Sequence, residues 1–177
     1  MHAHVYSHCM HAVHELSRGL CVLQVGTATV VGQWAGAGRP RGASRAAGAA
    51  SRVAVGTMMP ILAVTFACAP RAVRFFSSDP LVVGAAASYL RIVALVFPLM
   101  AIEAVYEGAL TGVQQTLPVL VVGAVGNLAR VPLALFLLPR YGVTGVWLAI
   151  ALSTLFKAPV KWWCFRRAPK DELSIPE

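Results

Sequence analysis

Five stretches of mainly apolar residues, each about as long as a bilayer is thick, follow one another along the chain with short connections between them. A helix needs roughly 20 apolar residues to cross a hydrocarbon core of about 30 Å. Because a bilayer holds no water to satisfy free backbone groups, such stretches predict α-helices. We therefore expect an all-α, polytopic membrane protein with about five transmembrane helices. The predicted spans are residues 18–37, 52–69, 88–110, 117–139 and 143–165.

The overall composition excludes the usual classes of soluble protein. Hydrophobic residues make up 58% of the chain and charged residues only 12%, which is too apolar for a soluble domain of ordinary composition. The net charge of +8 would suggest a nucleic-acid partner in a soluble protein, but here the basic residues lie mainly between the apolar stretches and at the C-terminus. We therefore expect the lipid bilayer as a partner and no nucleic acid.

The segments outside the spans are short. Residues 1–17 form a histidine-rich N-terminal leader that we expect to be disordered, residues 18–165 form the transmembrane domain, and residues 166–177 form a cytoplasmic tail. The histidines could be interpreted as a metal-binding tract, but an incidental leader is the preferred interpretation. The four cysteines are scattered without the spacing of metal ligands. The sequence predicts neither a metal site nor a cofactor.

The distribution of basic residues gives the expected orientation, because cytoplasmic loops are enriched in lysine and arginine. The connection after the first span and the C-terminal end are both basic, and with five spans they fall on the same side of the membrane. We therefore expect a multi-pass protein of the cell membrane with a cytoplasmic C-terminus. The residues concerned are Arg39, Arg41, Arg45, Arg52, Lys161, Arg166, Arg167 and Lys170.

Two acidic residues lie inside the third predicted span, where an ionised group costs at least about 2.5–3.5 kcal/mol. Glu103 and Glu107 are four residues apart, so they share one face of a helix and are separated by about 6 Å along its axis. Mutual repulsion and desolvation favour the binding of a proton or a sodium ion by such a pair. The sequence therefore predicts Glu103 and Glu107 as a cation-coupling site.

A second polar pair lies on the fourth predicted span. Asn127 and Arg130 are three residues apart and are candidate polar residues of a cavity, although a structural role is the preferred interpretation for Arg130. Counted from the connection between the third and fourth spans, Arg130 lies about 21 Å along its helix and Glu103 only about 10 Å. A direct ion pair between Glu103 and Arg130 is therefore not expected.

Four segments resemble, in family order, the C-terminal part of the multidrug and toxic compound extrusion (MATE) family of twelve-helix, cation-coupled exporters. The resemblance covers Gly19–Phe165 and implies helices eight to twelve. The turn TGVQQT departs from the glycine-rich, acidic turn common in bacterial members, with Gln114 and Gln115 at the positions that differ. The matching segments are VGQWAGAGRPRGASRAA (31–47), FFSSDPLVVGAAASYLRI (75–92), GALTGVQQTLP (108–118) and ARVPLALFLLPRYGVTGVWLAIALS (129–153).

The resemblance also bears on the predicted site, because members of the family place a cation-coupling acidic residue on the tenth helix. In some members this residue would fall nearer Met100, which shares a helix face with Glu103 and Glu107. The family's N-terminal lobe and its seventh helix, which carries an assisting acidic residue, have no counterpart in these segments. We expect them to be supplied upstream or by a second chain.

The leading hypothesis is secondary active efflux, in which inward flow of H⁺ or Na⁺ drives export of amphipathic or cationic small molecules. One alternative is a lipid-linked oligosaccharide flippase of the same superfamily, which should have a more cationic cavity. Another is a truncated membrane protein that does not transport. An enzyme is not predicted, because no span carries a nucleophile with a base or a set of metal ligands.

Overall fold

The chain folds into five α-helices in the computed structural model, which describes residues 2–76 and 80–168. The described residues contain no β-strand, so the protein has the expected all-α fold. The helices are α1 (His2–Gly36), α2 (Pro40–Phe76), α3 (Pro80–Gly112), α4 (Thr116–Tyr141) and α5 (Val143–Arg167).

Helix α3 is the centre of the bundle. It packs against α1, α2 and α5, whereas α4 packs mainly against α5. The largest buried apolar cluster joins α1, α2, α3 and α5, and Val31, Ala43, Leu110 and Phe165 are among its members. Four of its nine buried members are alanines, and such small side chains let helix backbones approach closely in a membrane protein.

Three helical segments among the described residues are long and apolar enough to cross a membrane: Pro40–Arg74, Ala86–Gly112 and Thr116–Tyr141. The protein is therefore a polytopic membrane protein. Helices α1 and α5 cover the first and last predicted spans but are not among these three segments, and α5 carries two lysines in its second half. Those lysines belong to the candidate site described below.

The helices extend beyond the predicted spans. The backbone of residues 2–17, which we expected to be disordered, continues α1 as a helix; no glycine or proline interrupts this stretch. Helix α2 runs through Pro70 to Phe76 without a break. The side chains of the histidine tract and residues 169–177 of the predicted tail lie outside the described set.

The turn between α1 and α2 is tightly defined by its hydrogen bonds. The amide of Arg39 donates to the carbonyl of Trp34, and the amide of Gly38 donates to that of Ala35. This is the Schellman pattern, whose left-handed residue is Gly38 with φ of 65°. Pro40 then begins α2, at a position where its missing amide hydrogen costs nothing.

The turn between α3 and α4 repeats this pattern with a different residue. The amide of Gln115 donates to the carbonyl of Leu110, and that of Gln114 donates to Thr111. The left-handed residue is here Gln114, with φ of 58°, where a side chain meets steric strain that glycine avoids. The departure from a glycine-rich turn noted in the sequence thus falls on the strained position.

Candidate functional site: a buried cluster of two carboxylates and two lysines

The two acidic residues predicted as a site lie on the central helix α3. Glu103 has a side chain that is 13% exposed, and that of Glu107 is 30% exposed. Two carboxylates one helical turn apart in such surroundings need cationic or hydrogen-bonding partners, because burial of an uncompensated charge is costly. Helix α5 supplies those partners.

Lys157 and Lys161 of α5 reach the two carboxylates. The ammonium nitrogen Nζ of Lys161 lies 3.0 Å from Oε1 of Glu103 and within hydrogen-bonding distance of Oε2 of Glu107. Nζ of Lys157 lies 2.9 Å from the same Oε1 of Glu103. The lysine side chains are only 7% (Lys157) and 2% (Lys161) exposed, so both cations are buried, whereas the two carboxylates are partly buried.

The four side chains form a charge-balanced cluster. Two carboxylates face two ammonium groups, with Lys161 bridging both acids and Glu103 accepting from both lysines. Buried ion pairs gain little net stability because desolvation offsets their attraction, but loss of one partner leaves an expensive uncompensated charge. Any ion that binds to these carboxylates must therefore compete with a lysine.

Helix α1 adds a hydrogen bond to the more exposed acid. Nε2 of Gln24 donates to Oε1 of Glu107 at 3.3 Å. Gln24 can reach Glu107 because α1 and α3 are in backbone contact: a Cβ on Gly108 would overlap the carbonyl of Gln24, and a Cβ on Gly112 would lie 2.5 Å from the carbonyl oxygen of Ala28. Gly108 and Gly112 are a GxxxG pair, which permits close approach of membrane helices.

Helix α4 makes room for one of the lysines. A Cβ on Gly126 would overlap the methylene carbons of Lys157, including Cγ and Cδ. Gly126 is also a buried residue of α4. The Lys157 stem therefore lies in a groove that this glycine leaves open, and α4 contributes to the cluster by shape rather than by charge.

The predicted pair on α4 lies apart from the cluster. Nε of Arg130 donates to Oγ of Ser153 on α5 at 2.6 Å, and Ser153 in turn donates to the carbonyl of Ile150. Asn127 is exposed. Within the described residues, the ion pairs of Glu103 are with lysines only, in agreement with the expectation that Glu103 and Arg130 do not pair.

Neither lysine was predicted from the sequence as a site residue. Lys161 was expected among the basic residues of a cytoplasmic C-terminal end, whereas its side chain is buried and pairs with Glu103 and Glu107. Lys157 was not considered. A usable signal was present: Lys157 and Lys161 have the same four-residue spacing as Glu103 and Glu107 with the opposite charge, so both pairs can meet across a helix interface.

Comparison with known proteins places the chain in a family. The MatE family model matches residues 19–136, which include both carboxylates and end before the two lysines. None of the curated proteins matches the chain. Since the matched region covers well over half of the chain and the fold is that of a polytopic helical membrane protein, the chain belongs to the MatE family of membrane transporters.

Proposed function

We propose that this protein takes part in secondary active efflux, in which H⁺ or Na⁺ is exchanged for amphipathic or cationic small molecules. The observation that carries the proposal is the buried cluster, in which Glu103 and Glu107 are held by Lys157 and Lys161. Ionisable groups inside membrane proteins are costly and typically mark ion pathways. The MatE family supplies the coarser assignment as a membrane transporter.

The lysines act as built-in counter-ions for the coupling carboxylates. When no coupling ion is bound, the ammonium groups neutralise both acids. Entry of a proton or a sodium ion at Glu107, which is the more exposed acid, removes the need for one contact of Lys161. Lys161 keeps its second contact, to Glu103. The two ammonium groups then share the single carboxylate of Glu103, and the resulting excess of one positive charge weakens the interface between α3 and α5.

Helices α3 and α5 each contain a proline at which the helix can bend. Pro98 lies five residues before Glu103 in α3, and Pro159 lies between the two lysines in α5. Proline removes one backbone hydrogen bond and favours a kink. Exchange of cations at the cluster can therefore change the angle between α3 and α5, as alternating access requires.

Cation exchange fits the cluster better than transport of lipid-linked oligosaccharides. A flippase for anionic lipid-linked sugars needs an excess of positive charge in its cavity. Here the two carboxylates balance the two lysines. The cluster therefore presents sites for cations and no surplus of positive charge.

The test is transport by the purified chain in proteoliposomes loaded with ethidium, driven by either a pH gradient or a sodium gradient. We expect gradient-driven transport by the native chain and its loss in Glu103→Gln. Glu172→Gln is the matched control for this change, since it alters a glutamate in the C-terminal segment, and it should transport like the native chain.

Two results would refute the proposal. Undiminished, gradient-dependent transport by Glu103→Gln would remove Glu103 from coupling. Absence of transport by the native chain under both gradients would show that the chain alone does not carry ethidium, as the alternative of a non-transporting membrane protein requires.

A further inference from the structure

A basic cavity lies at the turn between α1 and α2, away from the carboxylate cluster. It has a volume of about 710 Å³. Its lining combines three arginines with apolar side chains, and includes Trp34, Arg39, Arg41, Arg45, Ala46 and Ala49. The lining thus joins a cationic rim to an apolar wall.

The arginines are available for a ligand. Arg39, Arg41 and Arg45 are exposed, and no aspartate or glutamate occurs in the sequence between residues 16 and 78. Within the described residues, Arg39 has a ring contact, with its guanidinium 5.9 Å from the centre of the Trp34 ring, and no carboxylate pairs with Arg41 or Arg45. Three guanidinium groups with no described acid paired to them form a site for a phosphate group.

The apolar wall is held in place by the fold. A Cβ on Gly42 would overlap the indole ring of Trp34, so the ring rests against the first turn of α2. The Schellman hydrogen bonds of the turn fix Trp34 and Arg39 relative to each other. The cavity is therefore built from a rigid turn and does not depend on long side chains alone.

We propose that this cavity binds the headgroup of an anionic phospholipid, with the phosphate on Arg41 and Arg45 and the glycerol and upper acyl chain against Trp34 and Ala46. A free phosphate would use only the arginines, whereas a lipid uses both parts of the lining. The turn follows the first predicted span, so it lies at a membrane surface, where tryptophan and arginine meet headgroups. The site is independent of the proposed transport function.

The test uses the purified chain in dodecyl maltoside micelles, titrated with dioctanoyl phosphatidylglycerol and followed by microscale thermophoresis. Parallel titrations use dioctanoyl phosphatidylcholine and inorganic phosphate. We expect phosphatidylglycerol to bind about tenfold more tightly than phosphatidylcholine, and Arg41→Gln with Arg45→Gln to remove that preference. The matched control is Arg71→Gln with Arg140→Gln, which makes the same charge change outside the cavity and should keep the preference.

A second measurement needs no substitution. Phosphatidylglycerol with a photoactivatable acyl chain is crosslinked to the native chain, and the labelled peptide is identified by mass spectrometry. Label within residues 34–49 supports the proposal. Label found only outside these residues would overturn it. In the titrations, it would be overturned by equal affinity for the two lipids or by release of the lipid by an equal concentration of inorganic phosphate. It would also be overturned if the control variant lost the preference for phosphatidylglycerol to the same extent.

Discussion

Gly126 of α4 lies directly against the methylene stem of Lys157 on α5, so that a single added carbon would overlap it. The ammonium group at the end of that stem pairs with Glu103 on α3. A glycine with no charge of its own therefore influences an ion pair between two other helices. The first prediction rests on this contact.

Gly126→Ala should lower the free energy of unfolding by about 1–3 kcal/mol, because the added methyl group overpacks the groove of Lys157. Unfolding in detergent micelles, followed by circular dichroism, measures the change. Gly123→Ala is the matched control, since the space around Gly123 is open, and alanine there should be neutral or stabilising. Equal effects at the two glycines would show that the contact with Lys157 is unimportant.

Lys161→Met should be strongly destabilising, with a loss of about 3–5 kcal/mol in the free energy of unfolding. The substitution keeps the length of the side chain but takes from Glu107 the lysine that pairs with it. Combination with Glu107→Gln should recover part of the loss, because the uncompensated charge is then removed. A double-mutant cycle measures this recovery, and strictly additive losses would contradict the buried ion pair.

Gly108→Ala should separate α1 from α3, because the new Cβ would overlap the backbone carbonyl of Gln24, which cannot rotate away. We expect a lower unfolding temperature in detergent and, in the transport assay, a defect even though no charge is altered. Gly84→Ala is the control on the same helix, with open space around the glycine. An unfolding temperature in Gly108→Ala equal to that of the control would rule out the close backbone contact.

Gln114→Gly should stabilise the protein by up to about 1 kcal/mol, because glycine adopts the left-handed conformation of this turn without steric strain. The gain is reduced by the greater freedom of glycine in the unfolded chain. Gly38→Ala is the reciprocal change at the equivalent position of the first turn, and it should destabilise. The two unfolding temperatures should move in opposite directions, and a shift in the same direction would contradict the shared turn geometry.

The sequence was sufficient for the fold class and for the central helix, because apolar stretches of bilayer length leave few other structures open. It also placed Glu103 and Glu107 on one face, since helical periodicity fixes that relationship. It was less informative about helix ends. Residues 2–17 were expected to be disordered because they are rich in histidine, yet their backbone continues α1, and no glycine or proline interrupts this stretch.

The partners of the acids were harder to predict because they depend on which helices are neighbours. Lys161 has the position of a topology signal when the chain is considered one span at a time. Its role as a counter-ion of Glu103 is recognised only when the contact between α3 and α5 is known. The signal that would have identified the lysines is that two acids and two lysines, in distant segments, have the same four-residue spacing.

The spacing of the cluster also restricts how α5 can travel along α3. Glu103 meets Lys157 and Glu107 meets Lys161, so the two helices run in the same direction. A slide by one residue would break both matches. A slide of four residues, about 6 Å, would again place one acid opposite one lysine. Such a slide leaves the other acid and the other lysine without partners, so the electrostatic match favours the observed register of the two helices.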